Sequence, residues 1–311
     1  MAFRGTVGRD MTQPRQLAEP QSMTATVPRQ LVHRAAVAET LLTGWRRIGT
    51  DRFSVSAQWP RAHGLHVSPD RSAYDPLLVV ETVRQSGTLI AHTEYEVPLD
   101  HHFVLQEFQV ETFPRYLAVG AVPAELTVEV TFVDVQYRGR RPVGAVYTAE
   151  VLRGGELVAT ARRVAFTCTS EPVYRRLRGG RTAATVAPLP LPPPLPAATV
   201  GRALPEDVVL APATGPSLWQ LRIDTAHPVF FDHPLDHVPG MLLLEAARQA
   251  VRAHTLGARA PVSFRIAFHR YAELDEPVWV EATDGSGSDV QVVGRQGDSP
   301  VFVCTVGTWG R

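Results

Sequence analysis

Two acidic residues recur in one local setting. Glu81 is followed by Arg84 and Gln85, and Glu245 by Arg248 and Gln249; each Glu lies 18 positions after a histidine, His63 or His227. A carboxylate or imidazole beside a reacting carbonyl can take the proton from an attacking hydroxyl. Glu and Arg three apart on a helix can equally be a buried ion pair, and the two histidines can cap or bridge strands. The richest string is Phe230-Phe231-Asp232-His233-Pro234-Leu235-Asp236-His237-Val238-Pro239-Gly240. Here His233 is a candidate base that an aspartate can orient. Gly240, without a side chain, lets a substrate approach the backbone at a helix start, where N–H groups and the positive dipole end favour a developing oxyanion.

Composition limits the chemistry. All 31 basic residues are Arg; there is no Lys and no Asn, and 31 acidic residues bring the formal net charge to zero. Schiff-base and P-loop lysines are therefore excluded, and any phosphate must be held by Arg, backbone N–H groups or neutral donors. Arg46, Arg47, Arg61, Arg84 and Arg248 are the candidates. Charge balance gives no reason to expect nucleic acid. No apolar run approaches a membrane span. Two cysteines, Cys168 and Cys304, are too few for a disulfide framework or a zinc site and read as core residues. The chain reads as cytoplasmic, with no metal and no cofactor.

The elements that must position these groups repeat. From Ala62-His63 to Gln85 the chain aligns without a gap to Ala226-His227 through Gln249, at an offset of 164. Val164-Ala-Phe-Thr-Cys168-Thr169 resembles Pro300-Val-Phe-Val-Cys304-Thr305 at an offset of 136, so the second copy is shorter by 28 residues. Asp75-Pro76 and Pro239 each open a buried helix. One strand is expected before each helix. Strands are expected after them at 103–113, 125–137, 143–153 and 156–169, and at 262–269, 277–283, 289–295 and 301–308. A long helix wrapped by antiparallel strands is the hotdog fold. A lone hotdog exposes a sheet edge, so two copies in one chain should pair. The expected class is α+β, a tandem hotdog forming an intramolecular pseudo-dimer. Residues 1–26 are expected as a disordered leader, 27–178 as the first hotdog, 179–216 as a Pro-rich extended linker and 217–311 as the second hotdog.

The segment Pro228 to Gln249 resembles the site segment of β-hydroxyacyl-acyl-carrier-protein dehydratases in its Phe-Phe, Pro239-Gly240 and Glu245-Ala246. His233 reaches the dehydratase His position only if two loop residues are deleted, and the Gly that follows that His is missing. Taken with Thr43-Gly-Trp-Arg-Arg47, Ala57-Gln-Trp-Pro-Arg-Ala-His63, Asp75-Pro-Leu-Leu-Val-Val-Glu-Thr-Val-Arg-Gln85 and Asp232-His-Pro-Leu-Asp-His-Val-Pro-Gly240, the chain resembles the A-factor synthase family over about residues 30–170 and 218–310. The resemblance implies transfer of a medium-chain 3-oxoacyl group from an acyl carrier protein or CoA thioester to dihydroxyacetone phosphate, toward a γ-butyrolactone, butenolide or furan signal. It implies catalysis by Glu81, Glu245, His233 and His63, with His233 paired to Glu81 across the two halves, and His63 or His66 paired to Glu245. Gly240, Gln85, Gln249, Trp59, Phe231 and the Arg set would bind substrate. Trp45 and Phe230 would help line the pocket. A homodimer stays open, as do a thioesterase, a dehydratase and a non-catalytic acyl-binding protein.

Overall fold

The computed structural model describes residues 24–310. Most of the expected leader, residues 1–23, lies outside the described residues. In the first half, strands β1 (Leu42–Gly49) and β2 (Arg52–Trp59) form a hairpin ahead of helix α1 (Pro76–Glu94). Strands β3 (His101–Thr112), β4 (Ala124–Arg138), β5 (Arg141–Arg153) and β6 (Glu156–Ser170) follow, then the short helix α2 (Glu171–Leu177). The second half repeats this as β7 (Leu210–Pro212), β8 (Leu218–Leu221), helix α3 (Gly240–His254), β9 (Arg259–Phe268), β10 (Trp279–Asp284), β11 (Val290–Gln296) and β12 (Ser299–Gly310).

All twelve strands form one sheet in the order β1-β2-β4-β5-β6-β3-β9-β12-β11-β10-β8-β7, which reads as six strands followed by their mirror sequence. The halves join at β3 and β9, antiparallel, with Glu107 opposite Ala267 and Glu111 opposite Ser263. That pairing covers the edge each half would otherwise expose. The two helices touch under the sheet. The shorter second copy is explained by its strands: β4 and β5 have 15 and 13 residues, β10 and β11 have 6 and 7.

Local sequence accounts for the helices. The Asp75 carboxylate accepts the Leu77 N–H, and Pro76 occupies a position whose N–H would be unpaired anyway. Leu77, Leu78, Val79, Val80 and Val83 are all buried, so α1 is a core helix rather than a surface one. Gly87 in its middle leaves room for Tyr147, whose hydroxyl donates to the Val83 carbonyl at 2.9 Å.

Two expectations need correction. A two-stranded hairpin, not one strand, precedes each helix. The region expected as linker up to residue 216 is not all linker. The run 188–196 forms no helix or strand, but a 3-10 turn at Ala197–Val200 and strand β7 already belong to the second hotdog. Pro188–Pro196 cannot pair as a central strand, whereas Val208, Val209 and Leu210 behind it are buried and pull their segment into the core.

Candidate active site

The two glutamates sit in matching clusters. Glu81 is buried and takes Arg84 Nε at 2.9 Å, Arg84 Nη2 at 2.7 Å, Arg34 Nη2 at 2.7 Å and Gln85 Nε2 at 2.7 Å. Glu245 takes Arg248 Nε at 2.8 Å, Arg202 Nε at 2.8 Å, Arg202 Nη2 at 2.5 Å and Gln249 Nε2 at 2.5 Å. Burial pushes both carboxyls toward the neutral form, but in each case two guanidiniums outweigh it and hold the carboxyl well below the usual carboxylate range. Each carboxylate has both oxygens engaged by guanidinium and amide donors, and as placed it anchors arginines. Gln85 and Gln249 each clip the opening segment of their own half, accepting from Leu41 N–H and Val209 N–H and donating to the carbonyls of Glu39 and Asp207.

Arg34 and Arg202 were not read from the sequence. They follow Val32-His33 and Val200-Gly201, at an offset of 168 rather than 164. The second copy is four residues shorter between its first strand and its histidine, and a gap-free alignment stops short of that difference. The matching Val-x-Arg was the available signal.

His63 is not placed as a base. Its Nδ1 accepts the N–H groups of Leu65 and His66, and its Nε2 faces Glu39 at 3.4 Å. His227 does the same for Val229 and Phe230, with Asp207 at 3.3 Å. Both are turn caps. His66 is fully enclosed, and burial lowers its pKa so that it stays neutral.

The halves differ at the helix starts. In one, Asp75 Oδ1 caps α1 while Oδ2 lies 3.5 Å from both Arg202 Nη2 and Arg248 Nε. Arg202 also donates to the Leu65 carbonyl. The chain's own carboxylate thus occupies the place between a helix N-terminus and an arginine pair. In the other, Pro239 stands where Asp75 would be, and α3 has no side-chain cap. There a cavity of about 430 Å³ opens, lined by Pro239, Gly240, Met241, Arg34, Arg84 and His233. Phe103, Leu105, Phe230, Val238, Leu243 and Phe268 form its apolar wall. A broader outer mouth shares His33, Arg34, His102, Tyr174, His233 and His237 with it.

Two His–Asp pairs face this cavity. His233 Nδ1 is 2.5 Å from Asp232 Oδ1, and Asp232 also accepts Ala35 N–H at 2.9 Å and lies 3.7 Å from Arg34. Burial opposes ionisation of Asp232, but His233, Arg34 and the Ala35 N–H together lower its pKa. His237 Nδ1 is 2.7 Å from Asp236 Oδ1, which also takes the Tyr174 hydroxyl at 2.6 Å, while Asp236 Oδ2 takes Arg178 Nε at 2.8 Å. Asp232 and His233 come from the second half, Glu81 and Arg34 from the first, so His233 and Glu81 share one network that crosses the chain's two halves.

The other expected residues fall elsewhere. Arg47 pairs with Glu94 and lies over Phe53, Arg46 is exposed on β1, and Arg61 donates to the Gly120 carbonyl. Arg248 is closed in by Glu245 and Asp75. Trp59 is buried and donates to Thr82, Trp45 donates to Glu94, and Phe231 packs in the core beside the cavity-lining Phe230. Of the expected phosphate ligands only Arg84 reaches the cavity. Cys168 and Cys304 are buried, which pushes both thiols up, Cys168 to about 11.

Fold and site together define a double-hotdog protein with a substrate-sized cavity at one helix N-terminus and an internally closed twin at the other. The chain belongs to the A-factor biosynthesis hotdog family, whose domain matches residues 15–170 and 183–307. A 2-oxo-3-(phosphooxy)propyl 3-oxoalkanoate synthase from Streptomyces virginiae is 49% identical over 294 residues, 93% of this chain and 99% of that protein. One from Streptomyces coelicolor is 41% identical over 286 residues, 90% of each. Among solved structures, an acyl-ACP thioesterase from Bacteroides thetaiotaomicron superimposes with a TM-score of 0.52 at 14% identity, covering 82% of this chain and 98% of that one. That likeness is one of fold.

Proposed function

We propose that this cavity transfers a 3-oxoacyl group from an acyl carrier protein or CoA thioester to the hydroxyl of dihydroxyacetone phosphate, in the cytoplasm; the ester so formed is the product in the names of the synthases the chain resembles. The observation that supports this is the contrast at the helix starts. Where Asp75 closes its half, one oxygen takes a helix N–H and the other faces two guanidiniums. The open half offers the same two kinds of donor to a substrate. The Met241 N–H and the α3 dipole receive the thioester oxyanion, and Arg34 with Arg84 receives the phosphate.

His233 takes the hydroxyl proton at Nε2 while Asp232 holds Nδ1–H, which fixes the tautomer. The alkoxide oxygen attacks the thioester carbonyl carbon, the tetrahedral oxyanion collapses, and the C–S bond breaks. The proton on His233 passes to the departing thiolate, so the imidazole ends neutral. The apolar wall keeps water from competing with a far more dilute hydroxyl.

The test is thiol release from 3-oxoacyl carrier protein with and without dihydroxyacetone phosphate. Release that requires the phosphate, with a phosphorylated ester formed, is expected. Equal release in both arms means a thioesterase, and acyl chain retained without release means a binding protein. Loss of water from a 3-hydroxyacyl donor means a dehydratase. His233→Gln is expected to lower kcat by about 10²- to 10⁴-fold with the melting temperature unchanged.

A further inference from the structure

His33 ends the 3-10 turn Arg29–Val32 in the left-handed region, at φ 54°. The equivalent residue of the second half, Gly201, does the same at φ 69°. Glycine adopts that backbone without strain and an imidazole-bearing residue does not. The strained residue therefore stands in the half that has the cavity, and it lines both the cavity and its mouth.

Its hydrogen bonds fix its tautomer. His92 Nδ1 is 2.7 Å from the Val97 carbonyl, so that nitrogen must carry the proton and Nε2 must be bare. His33 Nε2 lies 2.9 Å from His92 Nε2 and must therefore donate to it. That leaves His33 Nδ1 as a lone-pair acceptor with no protein partner among the described residues. Phe103 packs edge-on against the His33 ring and holds it. Burial, with His92 and Arg84 nearby, holds the pKa of His33 down at about 3.

A nitrogen this reluctant to be protonated cannot take a proton from the attacking hydroxyl. It suits a donor that keeps its proton. On the proposed reading of the site, the thioester arm passes the mouth to bring its carbonyl to α3, because the carrier or nucleotide stays outside. Such an arm has an amide N–H two carbons from the sulfur. We infer that His33 Nδ1 accepts this amide N–H at the cavity neck and so selects pantetheine-type thioesters over simple alkyl thioesters.

The test rests on His33→Gly, the residue the twin uses, which relieves the strained backbone but leaves His92 without its donor, so the variant's fold is first confirmed by circular dichroism. Calorimetry compares two unreactive thioethers, an S-(3-oxoalkyl) N-acetylcysteamine and an S-(3-oxoalkyl) butanethiol of the same acyl length. Wild type is expected to bind the amide-bearing compound on the order of tenfold more tightly, a preference the variant loses. Equal binding of both by wild type, or an unchanged preference in His33→Gly, overturns the inference. Binding needs no turnover, so this outcome is separate from that of the transfer assay. If thiol release proves independent of dihydroxyacetone phosphate while the amide preference depends on His33, the reaction assigned above fails and the amide contact stands.

Discussion

At the residue scale, the recurring glutamates show how chemistry-bearing residues can serve structure. Each is a buried carboxylate holding two guanidiniums, buried ones at Glu245 and cavity-lining ones at Glu81, and removing the shared anion leaves charge without compensation. Glu81→Gln and Glu245→Gln are each expected to cost about 3–5 kcal/mol and to lower the melting temperature by roughly 10 °C, read by calorimetry. Early melting in both variants is the signature of an anchor rather than a base. The acid limb of the pH dependence follows from the same depressed carboxyls. Their stabilisation is fully present above the unfolded carboxylate value of about 4.3 and is lost as pH falls through the folded value. His33, His66 and His92 stay neutral in the fold and charge on unfolding, so wild type should melt lower as pH falls below about 6.5 and more steeply below about pH 4, with a shallower slope in the acid limb for Glu81→Gln. The sequence showed that Glu81 and Glu245 were special. What saturates them is harder to read, because Arg34 and Arg202 lie 47 and 43 positions away in chain order and only the matching Val-x-Arg marks them.

At the element scale, the long helices and the eight strands after them were legible because their signals are local. Asp75-Pro76 and Pro239 mark helix starts, and alternating β-branched runs end in Gly-rich turns. What was missed is held by distant contacts. Strand β7 has three residues, ends in a proline and pairs only through β8. Its segment is fixed by the Gln249 side chain, which no periodicity reveals. Gly87 offers a sharp check on the helix environment. Ala is the better helix former by about 1 kcal/mol, but a Cβ there would run into the Tyr147 ring. Gly87→Ala is therefore expected to destabilise, by about 1–3 kcal/mol in denaturant unfolding. At Gly240 an added Cβ meets the Phe268 ring at 3.4 Å, ordinary contact. Gly240→Ala should leave stability unchanged and lower kcat/KM, since both residues line the cavity.

At the scale of the whole molecule, the sequence repeats a helix start in each half but places Pro-Gly only before the second, and among the described residues the cavity opens at that second start. The mirror order of strands, the paired helices and the matching Glu–Arg–Arg–Gln clusters are all twofold. The asymmetry rests on Asp75 against Pro239, and on His33 against Gly201. One ligand per chain is the expected stoichiometry, measured by native mass spectrometry with an unreactive acyl thioether. Two ligands per chain would mean that Asp75 does not close its half.

The junction between β3 and β9 carries a consequence for how the chain is made. Thr112 ends β3 and Arg259 begins β9, 147 positions later. At about 5–20 residues per second, a nascent first half waits roughly 7–30 seconds with the β9-facing edge of β3 open, its other edge being paired with β6. Its Glu81 cluster also waits for Asp232 and the Val229 carbonyl. Synthesis is therefore the interval in which this protein is most exposed to edge-to-edge aggregation. Two separately encoded halves should recover a working cavity when co-expressed, and the first half made alone should precipitate.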